Sequence, residues 1–218
     1  KYSSFVGKLN DGGLREGIGS EARLYSPATV VVNNDGSLIV NDRNGHVIYK
    51  IQMDGTVSKL IGRPYNCRDG EVGSADEVGI CDPKQVAVDS QGNVYWGRDR
   101  RIMGYSPSTG QVSMILDGNN GDIGNVGGIT VLKDEIYFSD INKHTISKLS
   151  WNGSSYESVI VAGQSNQERS MWDFNTNQPR GLLEANFQHP SWLAADEANN
   201  RIVVNYGEPD WNWDQTGR

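Results

Sequence analysis

Val40-Asn41-Asp42-Arg43-Asn44-Gly45-His46-Val47-Ile48-Tyr49-Lys50-Ile51 returns, 98 residues further on, as Phe138-Ser139-Asp140-Ile141-Asn142-Lys143-His144-Thr145-Ile146-Ser147-Lys148-Leu149. Asp, Asn, His, Ile and Lys recur in step with no gap. A degenerate copy, Val94-Tyr95-Trp96-Gly97-Arg98-Asp99-Arg100-Arg101-Ile102-Met103-Gly104-Tyr105, lies between them, and a partial fourth reads Arg201-Ile202-Val203-Val204-Asn205-Tyr206. Self-similarity at a regular spacing marks a repeat architecture and constrains the fold more than any single motif.

The flanks of each copy repeat as well. Ala22-Arg23-Leu24-Tyr25-Ser26-Pro27 matches Ala185-Asn186-Phe187-Gln188-His189-Pro190 in spacing, and Pro83 takes the same part in the second copy. A short apolar strand follows each lead-in: Thr29–Val32, Gln85–Val88, Gly128–Leu132 and Trp192–Ala195. Then come a polar turn, a second strand, the Asp-x-Asn turn, a third strand and a Gly turn at Asp54-Gly55, Thr109-Gly110 or Asn152-Gly153. A fourth strand closes the unit at Val57–Ile61, Val112–Leu116 and Tyr156–Val161. Four short strands in about 40–55 residues define a β-propeller blade, an antiparallel sheet that stacks face to face with its neighbours around an axis. The nearly continuous apolar run of Thr29–Val32 predicts an inner strand flanked by a blade on each side.

Composition agrees with an all-β chain. Of 218 residues 26 are glycine, about 12% against an average near 7%. Val and Ile together number 34, Leu, Ala and Met only 24, and Asn reaches 20. That balance favours β-branched strands and Asn/Gly turns and excludes a helical bundle. The net charge of −7 excludes a nucleic-acid binder that works by neutralising phosphates. No apolar run approaches the ~18 residues of a membrane span, so no membrane insertion is expected. The opening residue, Lys1, fits a chain that has lost a leader or is one domain of a longer protein.

The pattern Ala-x-Leu/Phe-x-x-Pro followed by Asp-Gly-x-Leu-x-Val-x-Asp-x-x-Asn-x-x-Ile-x-Lys-Ile resembles the NHL-repeat family from about Gly7 to Tyr206. It is strongest in the first and third units. Gly97 and Tyr206 stand where that family has aspartate. The resemblance implies a propeller of NHL-like blades in a single domain, 1–218, with units of about 1–62, 63–117, 118–163 and 164–218, the last one partial. Two closures are compatible: a four-bladed ring in which Tyr2–Val6 completes the last blade, or part of the six-bladed ring usual for the family. An open ring would leave strand edges free to pair with another chain.

Several residues invite a functional reading. Asp42, Asn44, Asp140 and Asn142 recur, and we read them as structural turn residues whose side chains bond local amides. His46 and His144 recur too, but zinc needs three or four converging ligands and only His189 remains. Cys67 and Cys81 bracket an insertion, Arg63–Asp82, and are expected to form a disulfide, which implies an oxidising compartment. Asn152-Gly153-Ser154 is a glycosylation sequon on an expected hairpin turn. Asp117-Gly118-Asn119-Asn120-Gly121-Asp122 is rich enough in oxygen for Ca²⁺ but lacks EF-hand spacing, and we read it as a turn. No cofactor is expected, and neither a nucleophile elbow nor a phosphate loop is present. Trp172, Phe174, Trp211 and Trp213 alternate with Asp and Asn and are interface candidates, since exposed rings anchor protein partners or stack on sugars.

These readings lead to a non-catalytic extracellular or secreted module that presents loops and edge strands to a protein or glycan partner, copies of itself included. The alternative implied by the resemblance is a propeller hydrolase or lyase, gluconolactonase-like or amidating-lyase-like, with a metal in the central channel. RNA binding, also known in the family, conflicts with the acidic charge.

Overall fold

The computed structural model describes residues 4–67, 72–118, 121, 123–164 and 187–206. Four antiparallel sheets follow one another along the chain. The first comprises β1 (Gly17–Ile18), β2 (Pro27–Val32), β3 (Leu38–Asp42), β4 (Val47–Ile51) and β5 (Thr56–Ile61). The second comprises β6 (Gly73–Ser74), β7 (Val86–Val88), β8 (Val94–Arg98), β9 (Arg101–Ser106) and β10 (Gln111–Asp117). The third has β11 (Val126–Leu132), β12 (Glu135–Asp140), β13 (Thr145–Trp151) and β14 (Tyr156–Gly163). The fourth is a pair, β15 (Pro190–Asp196) and β16 (Arg201–Tyr206).

Within each sheet the strands from β2, β7, β11 and β15 onward lie in sequence order, as hairpins require. The first two sheets gain a fifth strand that the sequence did not announce. The lead-in of each unit runs back along that unit's own outer strand, β1 on β5 and β6 on β10. The third unit has too little chain for this. Only Gly118–Asn125 connects β10 to β11, enough to cross from perimeter to axis but not to line the outer edge as well.

Alternation on each strand supplies apolar faces that bury against the next sheet. Ile39, Ile48 and Ile61 of the first sheet meet Val86, Val94, Trp96 and Met103 of the second. Ala87, Ile102 and Leu116 of the second meet Val126, Ile129, Phe138 and Leu149 of the third. Ile146 and Ala162 of the third meet Leu193, with Ile202 and Val204 at the rim. The other face of the first sheet, Val40, Val47, Tyr49, Ile51 and Val57, is covered by the chain before β2 through Val6, Leu14, Ala22 and Leu24.

Two expectations change here. Ser4–Val6 forms no strand on the last blade; Gly7 N donates to Gly19 O at 3.0 Å, and Val6 packs on the first sheet, whose apolar face needs that cover. Lys1–Ser3 lie outside the described residues. The inner strand β2 is not flanked on both sides. Val30 is 61% and Val32 65% exposed, because the covering segment reaches β3–β5 but stops short of β2.

Candidate functional site

The repeated aspartates are spent on the backbone. Asp42, fully buried, accepts Tyr25 N at 2.6 Å, Ser26 N at 2.8 Å and Gly45 N at 3.0 Å. Asp140, also buried, accepts Gly124 N at 2.6 Å, Asn125 N and Asn142 N at 3.1 Å and Lys143 N at 3.0 Å. Each carboxylate ties the turn after its strand to the lead-in before the same unit. Asn44 donates to Ser26 Oγ at 3.4 Å, and Asn142 belongs to the Asp140 turn through its N–H. The repeat histidines share a duty as well. His46 and His144 both sit at positive φ, and their Nδ1 atoms accept from Asp82 N at 3.2 Å and His189 N at 3.4 Å. Asp82 and His189 each precede the proline that opens the next unit. Among the described residues no three His, Cys, Asp or Glu side chains converge to hold a metal.

One residue before Asp42 and before Asp140, the side chain joins sheet to sheet. Asn41 donates to Pro83 O and Lys84 O of the second unit at 2.5 and 2.7 Å. Ser139 donates to Ser191 O of the fourth and accepts Gly128 N at 2.7 Å. Gln85 spans further. Its Nε2 donates to Leu193 O at 2.7 Å, while its Oε1 accepts Leu193 N and Ile129 N at 3.2 Å. These bonds link residues far apart in sequence, so no local pattern reveals them.

Strand register corrects the placement of Gly97. Val30 pairs Val40 in the first sheet and Val86 pairs Trp96 in the second, so Arg98 holds the aspartate position and Gly97 corresponds to Asn41 and Ser139. A β-carbon on Gly97 would lie 2.3 Å from Val126 Cγ1, leaving no room for a side chain. Arg98 Nη2 pairs with Asp99 at 3.2 Å. Tyr206 pairs with Pro190 as Asp42 does with Pro27 and does hold the aspartate position of the fourth unit.

A cleft of about 340 Å³ lies between the second and third sheets, lined by Asp89, Asn93, Tyr95, Asp134, Glu135 and Tyr156 among others. Its carboxylates are already partnered. Asp89 accepts Gln91 N, Asn93 N and the Tyr95 hydroxyl at 2.9 Å. Asp134 accepts Ser90 N and Oγ, and those bonds hold its carboxyl below the usual range. Lys148 beside Glu135 lowers that carboxyl, while burial pushes the Tyr95 phenol up and takes Tyr137 to about 12. At neutral pH Asp134 and Glu135 are ionised and the two phenols protonated.

Cys67 and Cys81 are joined in a disulfide with Cα atoms 4.5 Å apart. Asn152 lies exposed on the β13–β14 hairpin, where its Oδ1 accepts Ser154 N and Ser155 N at 3.0 Å and Ser154 Oγ at 3.1 Å. Trp172, Phe174, Trp211 and Trp213 lie outside the described residues, as do Asn119, Asn120 and Asp122 of the oxygen-rich run.

The exposed apolar side chains that the structure reveals stand elsewhere. Val30 and Val32 mark one end of the stack, Trp192 and Val203 the other, and Val159 and Ile160 the outer edge of the third sheet. Trp192, Ala194 and Val203 share the face of β15–β16 opposite Leu193. Trp151, 57% exposed, stacks edge-on to Tyr156 at 5.1 Å beside β14.

No family model and no curated protein matches this chain. Among solved structures it is similar to a candidate gluconolactonase, with 13% identity and a TM-score of 0.57 over 83% of this chain and 57% of that one. It is also similar to streptogramin B lyase (14%, 0.53, over 94% and 51%) and to a chain of a nidogen–laminin complex (15%, 0.54, over 83% and 56%). The chain thus spans little more than half the length of these three structures. At such identities the likeness carries the fold and not the activity: the four sheets have β-propeller architecture.

Proposed function

We propose that this chain is a non-catalytic, extracellular assembly module of NHL-like blades that binds copies of itself through its exposed strands. The observation that carries this reading is the contrast between its polar and apolar repeat positions. Asp42, Asp140, Asn41, Ser139, His46 and His144 are engaged in turns and sheet-to-sheet joints. Apolar side chains stand exposed at both ends of the stack and along one outer edge. Clustered apolar exposure on strands marks interaction surfaces. The Cys67–Cys81 disulfide supports an oxidising compartment, and the exposed hairpin at Asn152 is accessible to glycosylation.

Sedimentation velocity over a roughly hundredfold range of concentration tests the reading. The expected result is an average mass that climbs above 24.0 kDa as concentration rises. A mass of 24.0 kDa at every concentration would overturn it.

A further inference from the structure

The first and second sheets end on short added strands, β1 and β6, which run antiparallel to β5 and β10. The third sheet has no such strand among the described residues and ends on β14, the longest strand at eight residues. An edge strand carries a row of outward N–H and C=O groups that pair readily with another strand. Natural edges are usually blunted by lysine, proline, a bulge or a cover; β14 has a bulge at Val161 and stays regular over Tyr156–Ile160. Tyr156-Glu157-Ser158-Val159-Ile160-Val161-Ala162-Gly163 has neither lysine nor proline, and Glu157 is its sole charge. Val159 and Ile160 are 41% and 40% exposed.

We infer that β14 pairs antiparallel with β14 of a second copy, joining two third-blade sheets into one continuous sheet. The inference rests on the assembly reading above and names its contact. The sister sheets indicate the geometry: both of their outer strands take an antiparallel partner. Antiparallel pairing of identical strands generates a two-fold axis, so one edge satisfies both copies and the assembly closes as a dimer. With the axis at Val159, Ser158 faces Ile160 and Glu157 lies opposite the bulge at Val161, so no like charges oppose each other. Tyr156–Ile160, the straight stretch before the bulge at Val161, gives an edge of roughly 17 Å, against the two-residue pairings of β1 and β6.

The two-fold makes the test specific. Val159→Lys sets two ammonium groups opposite each other across the axis, and Val159→Glu sets two carboxylates there. Each variant alone is expected to raise the dimer dissociation constant at least about tenfold, while an equimolar mixture of the two regains association as a mixed dimer. Circular dichroism and the melting midpoint check that each variant is folded. If either variant fails to fold, excess synthetic peptide with the β14 sequence is titrated into the wild type, where it should lower the dimer fraction. Folded variants that associate like the wild type, or a peptide without effect on the dimer, overturn the edge contact but leave the assembly reading intact, with β2 or β15–β16 as the interface. A wild type that stays monomeric and yet binds the peptide shows an edge built for a foreign strand and overturns the second-copy proposal. A wild type that stays monomeric and ignores the peptide overturns both.

Discussion

Gly97→Ala probes how closely the second and third sheets approach. The added β-carbon would sit 2.3 Å from Val126 Cγ1 and 3.0 Å from Val126 Cβ, and Val126 is fully buried. Ordinary contact needs about 3.4 Å or more, so the β11 end of the third sheet must retreat by about 1 Å or Val126 must leave its rotamer. Overpacking of this kind costs about 1–3 kcal/mol, and the upper half applies here because the obstacle is a buried branched side chain. Gly97 carries no positive φ, so the cost is steric and not conformational. Val126→Ala alone should cost about 2 kcal/mol for two lost methyl groups and the resulting gap. The double variant removes Cγ1, the atom in the way, and should cost at least about 1 kcal/mol less than the sum of the singles. Urea unfolding of the four proteins closes the cycle, and each kcal/mol should move the melting midpoint by about 2–4 °C for a chain of this size. Additive losses, or a Gly97→Ala variant as stable as the wild type, would refute the close sheet approach.

Three further outcomes follow from particular contacts. Asp140→Ala strands four backbone N–H groups and should lose about 3 kcal/mol or more, with Asp140→Asn losing less; equal stability in urea melts would contradict the anchoring role. Reducing the Cys67–Cys81 bridge, which joins residues 14 apart, should lower stability by about 3 kcal/mol, read as a fall in melting midpoint under reductant that Cys67→Ser/Cys81→Ser reproduces. Asp35, held low chiefly by Lys50, Glu135 by Lys148, Asp11 by Arg23 and Asp196 by Asn199 have folded-state values below their unfolded ones. Their contribution is therefore present above about pH 4.5 and lost as pH falls below it. These groups are exposed or half-exposed, so the loss should shrink in high salt, and a urea midpoint that rises on acidification would contradict the assignment.

Much of this architecture was legible because each blade solves the same local problem. Strand, turn and strand recur with the Asp-x-Asn turn, and the first and third units keep it intact at Asp42 and Asp140. The second unit misled because its turn is shorter. Arg98 pairs Arg101 around Asp99-Arg100, whereas Asp42 pairs Val47 around four residues. That two-residue deletion leaves a gapless comparison out of register, so Gly97 reads as the aspartate position that Arg98 holds. Added strands β1 and β6 were invisible because two residues carry no periodicity. Gln85 bonds Leu193 across 108 residues, and only the stacked sheets bring the two together. The apolar run at Val30–Val32 reads alike whether one or two sheets flank it, so its exposure had no sequence signal.

Hydrogen–deuterium exchange of the wild type at low and high protein concentration, followed peptide by peptide, tests most directly whether exposed strands carry the function. If β14 pairs between copies, 156–163 exchange more slowly as concentration rises while the turns at Asp42 and Asp140 are unaffected. Exchange in 156–163 that does not change with concentration, in β2 and β15–β16 alike, would contradict the account.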